Sequence, residues 1–219
     1  MDFSSISIEM VVNVLILLLI GMGPKIALVP FLEKTKGFEP KRQRAIGKRM
    51  VLIGLITALV LFAAGGYLMK LLHVSPGGVG VGGGIILMLI ALNMIKSPGK
   101  PHTPPVEESS ENDAKMALYP LAVPYLINPA GMVILIVISG RLDSIISAPG
   151  VVMLGLILAV GLFDFLVFSN IDRLAKKMRP ETLVISEVVF GLLLTALSVE
   201  MIVRGLAALG VLHGVTLSH

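Results

Sequence analysis

With 219 residues, 55% of them hydrophobic and only 15% charged, at a mean hydropathy of +0.93, the chain is built for a lipid bilayer. Soluble domains carry nearer about 25% charged residues. A net charge of +4 is too small to argue for nucleic acid, and the lack of cysteine excludes disulfides and thiolate metal sites.

The first stretch, MDFSSISIEMVVNVLILLLIG, has no positive residue ahead of its apolar run. A cleaved signal peptide would carry one, so this segment is expected to be a retained first span. Membrane-length apolar runs, roughly 20 residues each, predict six helical spans, near 7–32, 50–72, 79–96, 117–139, 149–171 and 182–205. None of the runs alternates with period two, so strands are not expected.

Span one is interrupted by LIGMGPKIALVPFL, residues 19–32. Proline removes a backbone donor and crowds the preceding turn, and glycine frees the chain from helical angles. Span four carries a matching interruption in YPLAVPYLINPAGMVIL, residues 119–135. In lipid, such a break is tolerated only inside protein or beside a water-filled cavity. Paired breaks in corresponding places of two halves point to a transporter's binding site.

The run SPGGVGVGGG before span three follows no strand and opens an apolar helix, so it is not a dinucleotide loop. Gly80 and Gly84 instead form a small-residue face for close packing. The stretch SPGKPHTPPVEESSENDAK, 97–115, lacks apolar anchors and reads as a cytoplasmic linker. It divides the chain into a first unit of three spans (1–96), the linker (97–116) and a second unit of three spans (117–219). In the last helices, GIILMLIALNMI (84–95) aligns with GLLLTALSVEMI (191–202). Three spans per half force the halves into opposite orientations, the inverted repeat common in secondary transporters.

Lysine and arginine fix the orientation. The segment between spans one and two holds Lys34, Lys36, Lys41, Arg42, Arg44, Lys48 and Arg49. Lys96, Lys100 and Lys115 follow span three, and Arg173, Lys176, Lys177 and Arg179 follow span five. The opposite loops carry only Lys70, Arg141 and Arg204. Cytoplasmic loops hold the excess, so both termini are expected on the non-cytoplasmic side of a cell (inner) membrane.

The two breaks are the candidate substrate site. Amides at the start of a second half-helix attract a carboxylate, and freed carbonyls at the end of the first half-helix receive an ammonium group. Gly21, Met22, Gly23, Pro24, Asn128, Pro129, Ala130 and Gly131 would line it mainly through backbone, with Tyr125 in the same segment. Lys25, a cation inside span one, is either a ligand for the carboxylate or a side chain that snorkels to the interface. Asp164, inside span five, is the candidate for proton or sodium coupling, with Lys25 as its expected partner. Glu200 and Arg204 stand at i,i+4 and are expected to pair. The four histidines have no metal-ligand spacing, and no nucleophile–base arrangement appears, so neither a metal site, a cofactor nor an enzyme is expected.

These residues resemble the MarC-type membrane proteins, a family that includes small neutral amino acid transporters of the LysE-like superfamily. The likeness is strongest in GGIILMLIALNMI (83–95), YPLAVPYLINPAGMVI (119–134) and the succession DRLAKKMRPETL … GLLLTALSVEMIVRGL. What it implies is an all-α membrane protein of six helices, built as two inverted three-helix repeats with helices one and four discontinuous. It also implies transport of glycine or alanine by alternating access. Departures fall at the expected site: Gly23, Lys25, Ile26 and Ala27 surround the first proline, and Asn128-Pro129-Ala130-Gly131 replaces the family's Gly-Pro-Gly. The competing expectations are a cation, metal or other small-metabolite exporter of the same superfamily, and a non-transporting membrane subunit.

Overall fold

The structure, a computed structural model, describes residues 7–96, 110–142, 144–175 and 180–212. Among these residues every regular element is helical: α1 (Ile8–Met22), α2 (Pro24–Lys34), α3 (Pro40–Leu71), α4 (Pro76–Lys96) and α5 (Ser110–Met116). An irregular segment, Ala117–Leu126, leads into α6 (Pro129–Arg141), followed by α7 (Ala148–Ser169), α8 (Ile171–Ala175) and α9 (Pro180–Ala208).

Local chemistry explains most boundaries. Proline opens α2, α3, α4, α6 and α9, where its fixed φ suits the first turn and its missing N–H costs nothing. Ser7 and Ser147 cap α1 and α7, accepting from the Met10 and Gly150 amides. Ser75 Oγ accepts from the Gly78 amide as the glycine run enters α4. Five runs are long and apolar enough to cross a membrane: Ile8–Lys34, Pro40–Leu71, Pro76–Lys96, Ala148–Ser169 and Val188–Ala208. A sixth arises if Glu111–Leu126 and Pro129–Arg141, bent by 70°, count as one. The outward faces carry Leu52, Ile56, Val60, Leu89, Leu162 and Leu192, all more than half exposed, as a lipid-facing surface requires.

Two boundaries differ from the sequence reading. Helix α3 begins at Pro40, about three turns before the apolar run, so the basic residues 41–49 are helical. Of the linker, residues 97–109 lie outside the described residues, whereas 110–116 form α5. That short helix is held by a Glu111–Lys115 pair and by Asp113, which accepts bidentate bonds from Arg42 at 2.9–3.2 Å.

Contacts at glycines set the helix directions. Gly54 lies against Leu126 and Ile127, and Gly66 against Gly140, so α3 runs alongside the irregular segment and α6 in the same sense. Gly47 meets Phe168 and Gly161 meets Leu55, so α7 is antiparallel to α3. Helices α4 and α9 are antiparallel and pack from Gly77 against Gly205 to Ile95 against Gly191. Gly84 meets Ser198 and Ile202, while Gly191 meets Ala91 and Ile95, which are the partners that the aligned segments make equivalent.

The interior divides into two main clusters. One surrounds Phe31, Ile46, Met50, Leu121, Leu126 and Phe168 at the end that carries the basic residues of α3, hereafter the basic end. The other joins Val14, Leu18 and Met22 of α1 to Ala58, Leu135 and Ile157 toward the opposite end. Where the clusters meet, Gly21 and Gly131 touch main chain to main chain, and a Cβ on either would overlap the other's backbone.

Gly131→Ala should therefore destabilise the protein by about 1–3 kcal/mol, the usual range for forced overpacking. Gly155→Ala, in α7 with nothing within 4 Å of its Cβ direction, should be neutral or gain up to about 1 kcal/mol of helix propensity. Thermal unfolding of both variants in one detergent checks the contrast; equal melting would remove the Gly21–Gly131 contact as a constraint.

Candidate functional site

The two interruptions come together in the middle of the bundle. Gly23 is extended (φ −85°, ψ 167°) between α1 and α2. On the other side, the irregular segment carries extended angles at Tyr119 and Val123, with cis peptide bonds before Pro120 and Pro124, and ends at Ile127. A helix would bond the Ile20 carbonyl to the amide of residue 24, but Pro24 has no N–H to give. Asn128 supplies the missing donor: its Nδ2 donates to the Ile20 carbonyl at 2.8 Å. The Asn128 amide donates to the Gly21 carbonyl at 3.0 Å, and its Oδ1 accepts from the Gly131 amide at 3.0 Å as the N-cap of α6. One residue thus ties the end of α1 to the start of α6.

Of the residues that the sequence marks as lining the site, Gly21, Met22, Gly23, Pro24, Asn128, Pro129, Ala130 and Gly131 are all buried. Gly21, Asn128 and Gly131 meet directly. Tyr125, 6% exposed, belongs to the basic-end cluster.

A cavity of about 460 Å³ leads to this junction. Ile20 and Ala130 line it together with Leu17, Val133, Val137 and Met201. Its rim, at the end away from the basic residues, holds Arg141, Glu200 and Arg204, and Arg204 donates to Glu200 as the i,i+4 spacing predicts. On the basic-end side of the junction a second cavity, of about 520 Å³, is lined by Tyr119, Val123, Pro124 and Pro129. Phe31 and Phe168 meet edge to face at 5.1 Å, and Arg42 stacks over Phe38 at 3.9 Å while holding Asp113. Arg44 pairs with Asp172 of α8 at 3.1 Å.

The expected Lys25–Asp164 pair does not form. Lys25 sits on the exposed face of α2, and no ion pair reaches it among the described residues. Its stem can carry the ammonium toward the basic end, which is the snorkelling arrangement. Asp164 is 1% exposed, and its Oδ1 has no hydrogen-bond partner. It lies on α7 between Val160, whose cluster includes Met22, and Phe168, whose ring meets Phe31. That bracket is the level of the first break. The two residues point apart because rotation about α2 buries Ile26 and Ala27 and turns Lys25 outward.

Sequence reasoning missed Ile20, whose carbonyl is the acceptor orphaned by Pro24; the four-residue offset to a proline was the available signal. It also missed the α9 wall of the cavity and the Arg42–Asp113 clamp, which no short-range pattern announces.

Comparison with known proteins gives a consistent answer. A family model described as MarC family integral membrane protein matches residues 8–209. A UPF0056 membrane protein of Methanocaldococcus jannaschii is 28% identical over 187 residues, covering 84% of this chain and 90% of the relative. The UPF0056 inner membrane protein YhgN of Escherichia coli K12 is 28% identical over 196 residues, covering 90% and 95%. A UPF0056 membrane protein of Aquifex aeolicus is 31% identical over 149 residues, covering 65% and 67%. No solved structure matches.

An unpartnered buried polar atom costs about 1–3 kcal/mol, so Asp164→Val should raise the melting temperature of the purified protein. Lys25→Ala should leave stability within about 0.5 kcal/mol, as for an ordinary surface position. A fall in melting temperature for Asp164→Val would mean that the carboxyl group has a stabilising partner.

Proposed function

Because the chain belongs to the MarC family of integral membrane proteins, we propose that it is a secondary transporter that moves small neutral amino acids such as glycine and alanine by alternating access. One observation carries the reading: a cavity of about 460 Å³ rimmed by Arg141, Glu200 and Arg204 reaches Ile20 and Ala130 beside the joined breaks, and a second, of about 520 Å³, reaches Pro129 from the side of Tyr119, Val123 and Pro124. Cavities that meet at paired helix breaks are what a carrier's binding site requires. With the basic loops cytoplasmic, the first cavity faces outward, and both termini lie on the non-cytoplasmic side of the cell (inner) membrane.

The reading treats α1–α2, α3 and α4 as one repeat, and the bent span, α7 and α9 as its inverted copy. The antiparallel α4–α9 contact, made through equivalent residues of the aligned segments, supports that arrangement. Helices one and four are then discontinuous spans whose main-chain groups at the breaks suit a zwitterion. Asp164, buried at the level of the first break, is the group through which a proton or sodium gradient would act. A carrier of this kind needs no cofactor and performs no covalent chemistry.

A cation or metal exporter is the second reading. The apolar walls and the Arg141 and Arg204 rim argue against a cation path, as does the lack of any group of three His, Asp or Glu side chains among the described residues. A non-transporting subunit would need no cavity ending at two helix breaks.

Proteoliposomes should accumulate labelled alanine or glycine when a proton or sodium gradient is imposed, and should exchange internal for external amino acid without one. If neither solute exchanges, the transport reading fails. Asp164→Asn should lose gradient-driven accumulation at least tenfold while keeping exchange; an unaltered response to the gradient would take coupling away from Asp164.

A further inference from the structure

The Asn128 carboxamide makes, at one place, the two kinds of bond that a free α-amino acid would make there. Its Nδ2 donates to the Ile20 carbonyl, and its Oδ1 accepts from the Gly131 amide. The donor stands where an ammonium group would meet the acceptor left over by Pro24. The acceptor stands where a carboxylate would meet the positive end of α6. The side chain is 2% exposed, and the neighbouring cavity is lined by Ile20 and by Ala130, which adjoins Gly131. At the first break the residue before proline is Gly23, and α2 has no side-chain cap. Only the second break carries its own stand-in.

We propose that Asn128 is a displaceable internal ligand, holding the Ile20 carbonyl and the Gly131 amide in the empty protein and yielding both to the ammonium and carboxylate of a bound amino acid. The inference rests on the transport reading above and adds to it a mechanism of selection. A solute with one charged group replaces one bond and leaves the other unmade. A zwitterion replaces both at once. Displacement exchanges the side-chain bond from Asn128 to α1 for one from the ligand, while the Asn128 amide keeps its bond to the Gly21 carbonyl.

The test is equilibrium binding of labelled glycine and L-alanine to the full chain in nanodiscs, as wild type, Asn128→Ser and Asn128→Ala, with propionate and ethylamine as competitors. Serine still caps Gly131 but is too short to reach Ile20. Binding that must first undo an internal contact is weakened by the fraction of protein in the competent state. Both variants are therefore expected to bind about tenfold tighter than wild type, with neither single-charge competitor displacing the amino acid. Unchanged or weaker binding by Asn128→Ser overturns the proposal and makes Asn128 a plain cap or a direct ligand, leaving transport intact. Loss of binding in all three proteins overturns the transport reading instead. Should Asn128→Ala fail to fold, the wild type still decides: with 15N-labelled asparagine, the Asn128 side-chain amide resonance must shift when alanine saturates the site. A resonance that stays put rules displacement out.

Discussion

A carbonyl without its helical partner is the constraint from which the centre of this protein follows. Pro24 cannot donate to Ile20, and in an apolar interior an unpaired carbonyl is costly. Asn128 repairs the loss from 108 residues away, and Gly21 and Gly131 have no side chains to keep the two backbones apart. Replacing either glycine would push the chains out of bonding reach. The first and fourth spans are thus joined by main-chain chemistry, and the surrounding helices pack around that joint.

The bundle is asymmetric about it. On one side, aromatic and aliphatic residues pack around Phe31 and Phe168, and Arg42 and Arg44 bridge α3 to α5 and α8. On the other, α1, α4, α6 and α9 line a cavity whose few charges sit at its rim. Isolated surface ion pairs contribute little stability, about 0–1 kcal/mol. The Arg42 and Arg44 bridges therefore fix where short elements dock more than they hold the fold together.

Much of this was legible in the chain because its signals are local. Apolar run lengths gave the spans, proline and glycine marked the interruptions, and Asn128 ahead of Pro129 is a readable N-cap. What depended on helix rotation was not legible. Helix α7 is apolar nearly all round, so nothing in its sequence told which face Asp164 would take. Lys25 and Asp164, opposite charges in lipid-length segments, invited pairing, but α2 turns Lys25 outward. The acidic end of the linker looked featureless by composition, yet it forms a short helix whose Asp113 is docked by the distant Arg42.

Helix α3 has a mechanical consequence. Its 32 residues measure about 48 Å at 1.5 Å per residue, against a hydrocarbon slab of about 30 Å. The surplus projects as a rigid spar beyond the lipid, and both of its guanidinium moorings, Arg42 and Arg44, lie on that overhang. Any tilt of the spar within the bilayer is magnified at the tip and hauls α5 and α8 along with it.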